Sequence, residues 1–163
     1  ATLYQRWAQG GIGLSITGNV MVDRGALGEP NNVVLDEHSD LTQFEAWASA
    51  GKQNGSQIWM QLNHPGKQIP KFLCEKPVAP SAISLERGLE KGFNTPRALT
   101  DSEIHDIINK FAFANIILDN IQRTFSPPDN TFAVFNASSP VNNIRPRKVL
   151  KYTSSRSSSV CVY

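Results

Sequence analysis

The chain has 163 residues and a formal net charge of +2, enough length for one ordinary domain with its own core. So small a charge gives no general pull toward nucleic acid, and no apolar run approaches the roughly 20 residues of a membrane-spanning helix. Partners of neither kind are expected.

Leu3, Trp7 and Ala8 fall at helical spacing, and Gly10-Gly11 ends that segment. The chain opens inside this helix-like pattern, without a methionine or an apolar signal core, so a partial chain is expected. Ile12 to Thr17 reads as a buried strand, followed by a long loop from Asn19 to Ser39 containing Gly25, Gly28 and Pro30. Asp40 can cap the next helix, with Gln43 in the capping-box position. Leu41, Phe44, Trp47 and Ala48 form its apolar face, and Gly51 to Gly55 closes it. Gln57 to Leu62 is the next strand, broken by Asn63-His64-Pro65-Gly66 into a polar loop over residues 63–99. Thr100-Asp-Ser-Glu103 is a capping box for the longest helix, whose apolar stripe is Ile104, Ile107, Ile108, Phe111 and Leu118. The order helix, strand, helix, strand, helix indicates βαβ units and a parallel sheet. Glu103 and Asp106 read as solvated surface acids, and His38 and His105 as solvent-facing residues with no partner pattern in the sequence.

Beyond Asn120 the pattern changes. Residues 130–163 carry Arg145, Arg147, Lys148, Lys151 and Arg156 with no acid, so this segment is +5. Residues 1–129 hold 11 basic and 14 acidic side chains and come to −3. The run Thr153-Ser-Ser-Arg-Ser-Ser-Ser159 and the scattered Pro and Asn read as disorder or out-of-frame translation. The expected organisation is a folded domain over 1–120 and a divergent basic tail over 121–163. Cys74 and Cys161 are too few and too far apart for a metal cluster. Such sparse cysteine fits a reducing, cytoplasmic setting. No hydrolase triad, Gly-rich phosphate loop or zinc spacing is present.

Four residues stand out chemically. Gln61 puts an amide, donor and acceptor together, at the end of a short strand, which suits the edge of a planar heterocycle. The same amide could instead satisfy neighbouring backbone. Gly18 would let a ligand approach the backbone closely, or simply end a strand. Asn19 could face a ligand or adopt a left-handed turn. His64 could titrate near neutral pH against a substrate, or bind loop backbone.

The ordered motifs Gly11-Ile-Gly-Leu-Ser-Ile-Thr-Gly-Asn-Val-Met-Val-Asp23, Arg24-Gly-Ala-Leu-Gly-Glu-Pro30, Gln57-Ile-Trp-Met-Gln-Leu-Asn-His-Pro-Gly-Lys-Gln68, Val78-Ala-Pro-Ser-Ala82 and Thr95-Pro-Arg-Ala-Leu-Thr-Asp-Ser-Glu-Ile104 resemble the Old Yellow Enzyme family of FMN-dependent NAD(P)H:flavin oxidoreductases and ene-reductases. The resemblance runs from about Leu3 to Leu118. It implies an α/β fold, a fragment of a (β/α)8 TIM barrel comprising about strands 2–3 and their flanking helices. A complete barrel needs roughly 250 residues. By resemblance Gln61 contacts the pyrimidine edge of FMN, Asn19 lies beside the flavin carbonyl and N5 region, Gly18 joins them as a cofactor-binding residue, and His64 lies on the substrate side. Asn19 stands where many relatives carry Gly or Ala, and Lys67 where an arginine is common. The implied activity is hydride transfer from NAD(P)H through FMN to a small-molecule activated alkene. The family's histidine pair is missing between Asn120 and Phe125, so no catalytic residue is assigned. The alternative is a non-catalytic remnant or interaction module.

Overall fold

The computed structural model describes residues 1–125 and 135–136. The elements are α1 (Thr2–Gln9), β1 (Leu14–Met21), β2 (Val33–Val34), α2 (Leu41–Gly51), β3 (Gln57–Asn63), β4 (Val78–Ala79), β5 (Arg97–Ala98), α3 (Asp101–Phe125) and β6 (Phe135–Asn136). One sheet has the order β2-β1-β3-β6, and β4 pairs with β5 in a second. The resolved pairings β1–β2 and β4–β5 are both parallel, as the alternation of elements requires. The rest of the expected tail, 126–134 and 137–163, lies outside the described residues. The described part of the chain forms two compact units, residues 1–18, 38–61 and 115 onward, and residues 19–37 and 62–114.

In the first unit Gly11 takes φ +86°, and the amides of Gly11 and Ile12 return to the carbonyls of Ala8 and Trp7. Ile12 therefore belongs to the turn that ends α1. The strand expected at Ile12 begins two residues later, at Leu14, and runs on to Met21. Asp40 caps α2 by accepting the Thr42 amide at 3.1 Å. Tyr4 of α1 meets Trp47 of α2 edge-on, with ring centroids 5.2 Å apart. Phe44, Ala50, Ile58, Met60, Leu118 and Ile121 are buried. Gly51 is required where α2 passes β3, because a Cβ there would come within 2.6 Å of Ile58 Cδ1. A cavity of about 20 Å³ remains among Thr17, Phe44, Trp47, Ile58 and Met60. Its walls are apolar, which makes it packing space.

In the second unit Val20 pairs with Val33 and Met21 with Val34. Val22 donates to Asn63 O at 3.0 Å and Leu35 to Met21 O at 2.8 Å. Val20, Met21, Val22, Leu35 and Leu62 are fully buried. Residues 63–99 are more ordered than the polar loop the sequence suggests. Val78 and Ala79 pair with Arg97 and Ala98, and Pro70 bridges Phe93.

The capping box at the start of α3 forms as expected, Thr100 N donating to Glu103 Oε2 and Glu103 N to Thr100 Oγ1. The apolar stripe is shifted. Ile104 and Ile108 are 38% and 49% exposed, Leu118 is buried as expected, and Ala114 and Ile121 complete the buried seam. Hydropathy marks a broad apolar sector on this helix, and packing buries one edge of it. The helix also continues past Asn120 to Phe125. Glu103 and Asp106 are not free acids. The first pairs with Arg97 and the second with Lys110 at 2.9 Å. His105 is exposed as expected, yet its Nδ1 lies 2.7 Å from Asp101 O.

Candidate functional site

Alternation sorts the strands into two faces. In the first unit Ser15 and Thr17 of β1 are buried, while Leu14, Ile16 and Gly18 are exposed. On β3 Ile58 and Met60 are buried, and Gln57, Trp59 and Gln61 are half-buried. Thr17, Ile58 and Met60 line the same cavity under the helices. Gly18 and Gln61 therefore belong to the opposite, open face.

Beside these two residues a side chain enters the backbone ladder. The Gln61 amide donates to Thr17 Oγ1 at 3.0 Å, and the Thr17 hydroxyl donates to Gly18 O at 2.7 Å. One buried hydroxyl thus uses its donor and an acceptor at the point where Gly18 and Gln61 emerge. A Cβ built on Gly18 meets nothing within 4 Å, so the space above that backbone is open. Thr17 carries no mark in the sequence beyond its place one residue before Gly18, because its bond reaches across to Gln61, 44 positions away.

In the second unit Asn19, exposed on β1, is the residue after Gly18. His64 follows the end of β3 and is largely buried. Its Nδ1 accepts the Gly66 amide at 3.2 Å, and its Nε2 lies 4.0 Å from Asp23 Oδ2. An acceptor at Nδ1 leaves the proton of the neutral ring on Nε2, toward the carboxylate. Asp23 also takes the Lys110 ammonium at 2.7 Å and, on Oδ1, the Gly25 amide at 2.8 Å. Burial alone would push the Asp23 carboxyl up. The hydrogen bonds from Lys110 and Gly25 outweigh it, and the group sits below the ordinary carboxylate value. Burial holds the His64 ring below the ordinary histidine value, against the pull of Asp23. Lys67 donates to Ile83 O at 3.1 Å and so braces its own loop.

Nothing in the sequence marked the Asp23–Lys110 pairing, because its partners come from the turn after β1 and from mid-α3. Among the described residues no group of three or more His, Cys, Asp or Glu could hold a metal ion. No described helix is long and apolar enough to cross a membrane.

Comparison with known proteins gives a consistent picture. Residues 1–116 match the model of the NADH:flavin oxidoreductase / NADH oxidase family. The NADH-dependent flavin oxidoreductase iliE of Hypocrea jecorina is 38% identical over 129 residues, which covers 69% of this chain and 32% of that protein. The chain thus spans about a third of that relative's length. Among solved structures, morphinone reductase in complex with tetrahydroNAD superposes with a TM-score of 0.63 at 21% identity, covering 82% of this chain and 39% of that one. The Old Yellow Enzyme homologue from Zymomonas mobilis gives 0.62 at 21% identity over 82% and 37%. These likenesses show the fold, part of a (β/α)8 barrel, with small parallel sheets and no closed barrel among the described residues.

Proposed function

The chain belongs to the NADH:flavin oxidoreductase / NADH oxidase family, and on that premise we propose that it contributes a flavin-facing portion of an FMN-dependent oxidoreductase. The observation that carries this reading is the open strand face at Gly18 and Gln61. There a half-buried amide stands on the same face as a glycine with free space above it. These residues fit a planar heterocycle. The Gln61 amide offers a donor and an acceptor to alternating ring-edge groups, and Gly18 lets the ring lie close to the backbone.

Gln61 and Gly18 would hold the isoalloxazine, and Asn19, next along β1, would lie beside its carbonyl and N5 region. The bound FMN would supply hydride transfer from NAD(P)H to an activated alkene, the chemistry of the cofactor itself. The protein's part is to bind and orient. The Thr17 hydroxyl holds the Gln61 backbone, and the buried residues Ile58, Met60 and Leu62 keep β3 in register. His64 supports the loop from within: its Nδ1 is committed to Gly66 and its Nε2–H faces Asp23. Residues 1–120 are assigned to this flavin-binding part.

The test is a titration of the chain into FMN, followed by fluorescence quenching, with Gln61→Ala alongside. Saturable quenching that the alanine weakens about tenfold supports the reading, since a lost pair of ring-edge hydrogen bonds is worth about 1.4 kcal/mol or more. A chain that quenches nothing does not hold flavin and overturns it.

A second reading, a non-catalytic remnant, is favoured by the continuation of α3 to Phe125, through the positions where the family's histidine pair is missing. Anaerobic addition of NADH to an FMN-loaded chain, followed by an activated alkene, separates the two, because bleaching and then recovery of the flavin absorbance require both half-reactions.

A further inference from the structure

We propose that Thr17 is a positioning residue, whose hydroxyl fixes the Gln61 backbone and, through it, the direction of the Gln61 side-chain amide. The inference deepens the flavin reading and rests on it for its functional consequence.

In a parallel pair the amide of one strand ordinarily bonds a main-chain carbonyl of its neighbour. At Gln61 a side-chain oxygen, Thr17 Oγ1, accepts the backbone amide at 3.0 Å. The same hydroxyl is turned by its own proton toward Gly18 O, 2.7 Å away. Its direction is therefore fixed at both ends, and it is only 3% exposed, so water does not compete for it. Gln61 thus hangs from a point set by a rotamer of β1, one residue before Gly18. A β-branched threonine restricts χ1, which makes the anchor stiff. Loss of the hydroxyl removes this acceptor from the Gln61 backbone, lets the end of β3 shift, and so turns the Gln61 side chain.

Two substitutions separate this role from simple packing. Thr17→Val keeps the shape and removes both hydrogen bonds, whereas Thr17→Ser keeps the hydroxyl and removes a methyl. A packing residue would tolerate valine better, and a positioning hydroxyl would tolerate serine better. The experiment is hydrogen exchange by NMR on the full chain, reading the Gln61 amide against those of Ile58 and Met60, together with FMN titration of each variant. The expected result with valine is exchange at Gln61 faster by about tenfold or more, beyond any change at Ile58 and Met60, and FMN affinity weaker by about tenfold. Serine is expected to stay within about threefold of the wild type on both readouts.

Unchanged Gln61 exchange in the valine variant, or a serine variant as impaired as the valine one, overturns the proposal. Should the valine chain fail to fold, serine decides: a tenfold faster Gln61 amide despite the retained hydroxyl overturns it. A wild-type chain that takes no FMN sinks the flavin reading, and the Gln61 exchange rates then decide the anchor by themselves.

Discussion

Lys110 and Asp23 stand 87 positions apart in sequence, and the ammonium of the first lies 2.7 Å from the carboxylate of the second. The pair ties the middle of α3 to the turn after β1, in the same unit as His64. Both side chains are partly exposed, at 35% and 22%, so solvent screening limits its strength. Lys110→Met is expected to destabilise the chain by about 1 kcal/mol, read as a shift in the urea midpoint. The folded Asp23 value is depressed, so its contribution is complete above the ordinary carboxylate value of 3.8 and fades as pH falls through the folded value. The methionine variant should therefore show a flatter acid limb below that pH. An unchanged acid limb would mean that the Gly25 amide alone holds the carboxylate.

Gly51 gives a prediction of opposite sign to the usual helix rule. Alanine in place of a helical glycine ordinarily stabilises by up to about 1 kcal/mol. Here the new methyl would sit 2.6 Å from Ile58 Cδ1 and 3.1 Å from its Cβ. The second contact is to the root of the side chain, which rotation about χ2 does not move. Gly51→Ala is expected to cost about 1–3 kcal/mol through overpacking. Combining it with Ile58→Val, which deletes the nearer carbon, should recover part of that loss in thermal unfolding.

The start of α3 offers a third measurement. Thr100 and Glu103 cap each other reciprocally, and Arg97 Nη1 reaches Glu103 Oε2 at 2.8 Å. Thr100→Ala should cost about 1 kcal/mol of stability. The Arg97 hydrogen bond, with the Thr100 amide second, brings the Glu103 carboxyl down from 4.5 to about 2. The depressed value makes the cap fully effective above pH 4.5 and progressively lost toward pH 2. Helical circular dichroism across that range should fall in the wild type and change less in Glu103→Gln. Equal profiles would remove Glu103 from the acid response.

Much of the fold was legible because local physics decided it. The capping box at Thr100–Glu103, the Asp40 cap and the Gly10-Gly11 stop use groups within a few residues of one another, so sequence alone carries them. The strand at Gln57 was equally plain from its apolar run. Less visible was everything set by distant partners. The start of β1 moved to Leu14 because the Ile12 amide closes the turn after α1. The buried edge of α3 is chosen by packing, which hydropathy cannot distinguish from its apolar neighbours at Ile104 and Ile108. At the candidate site Gln61 and Gly18 were marked by residue type and strand position. The Thr17 hydroxyl between them is a contact over 44 positions that no local pattern announces.

His64 supplies the last prediction. Burial lowers its ring below the ordinary histidine value of 6.5, and the nearby Asp23 carboxylate only partly opposes this. Lys110, paired with Asp23, favours the neutral ring as well. A base whose folded value is depressed binds its proton more readily when unfolded. Its contribution to stability is therefore complete above pH 6.5 and is lost as pH falls from there through the folded value. Protonation also turns Nδ1 from acceptor to donor, which breaks the bond from the Gly66 amide. His64→Asn keeps a side-chain acceptor near Gly66 and removes the titration. The wild type should lose stability in urea as pH falls below 6.5, while the asparagine variant stays level over the same range. A wild-type curve as flat as the variant's would show that the ring stays neutral throughout, or that its protonation costs the fold nothing.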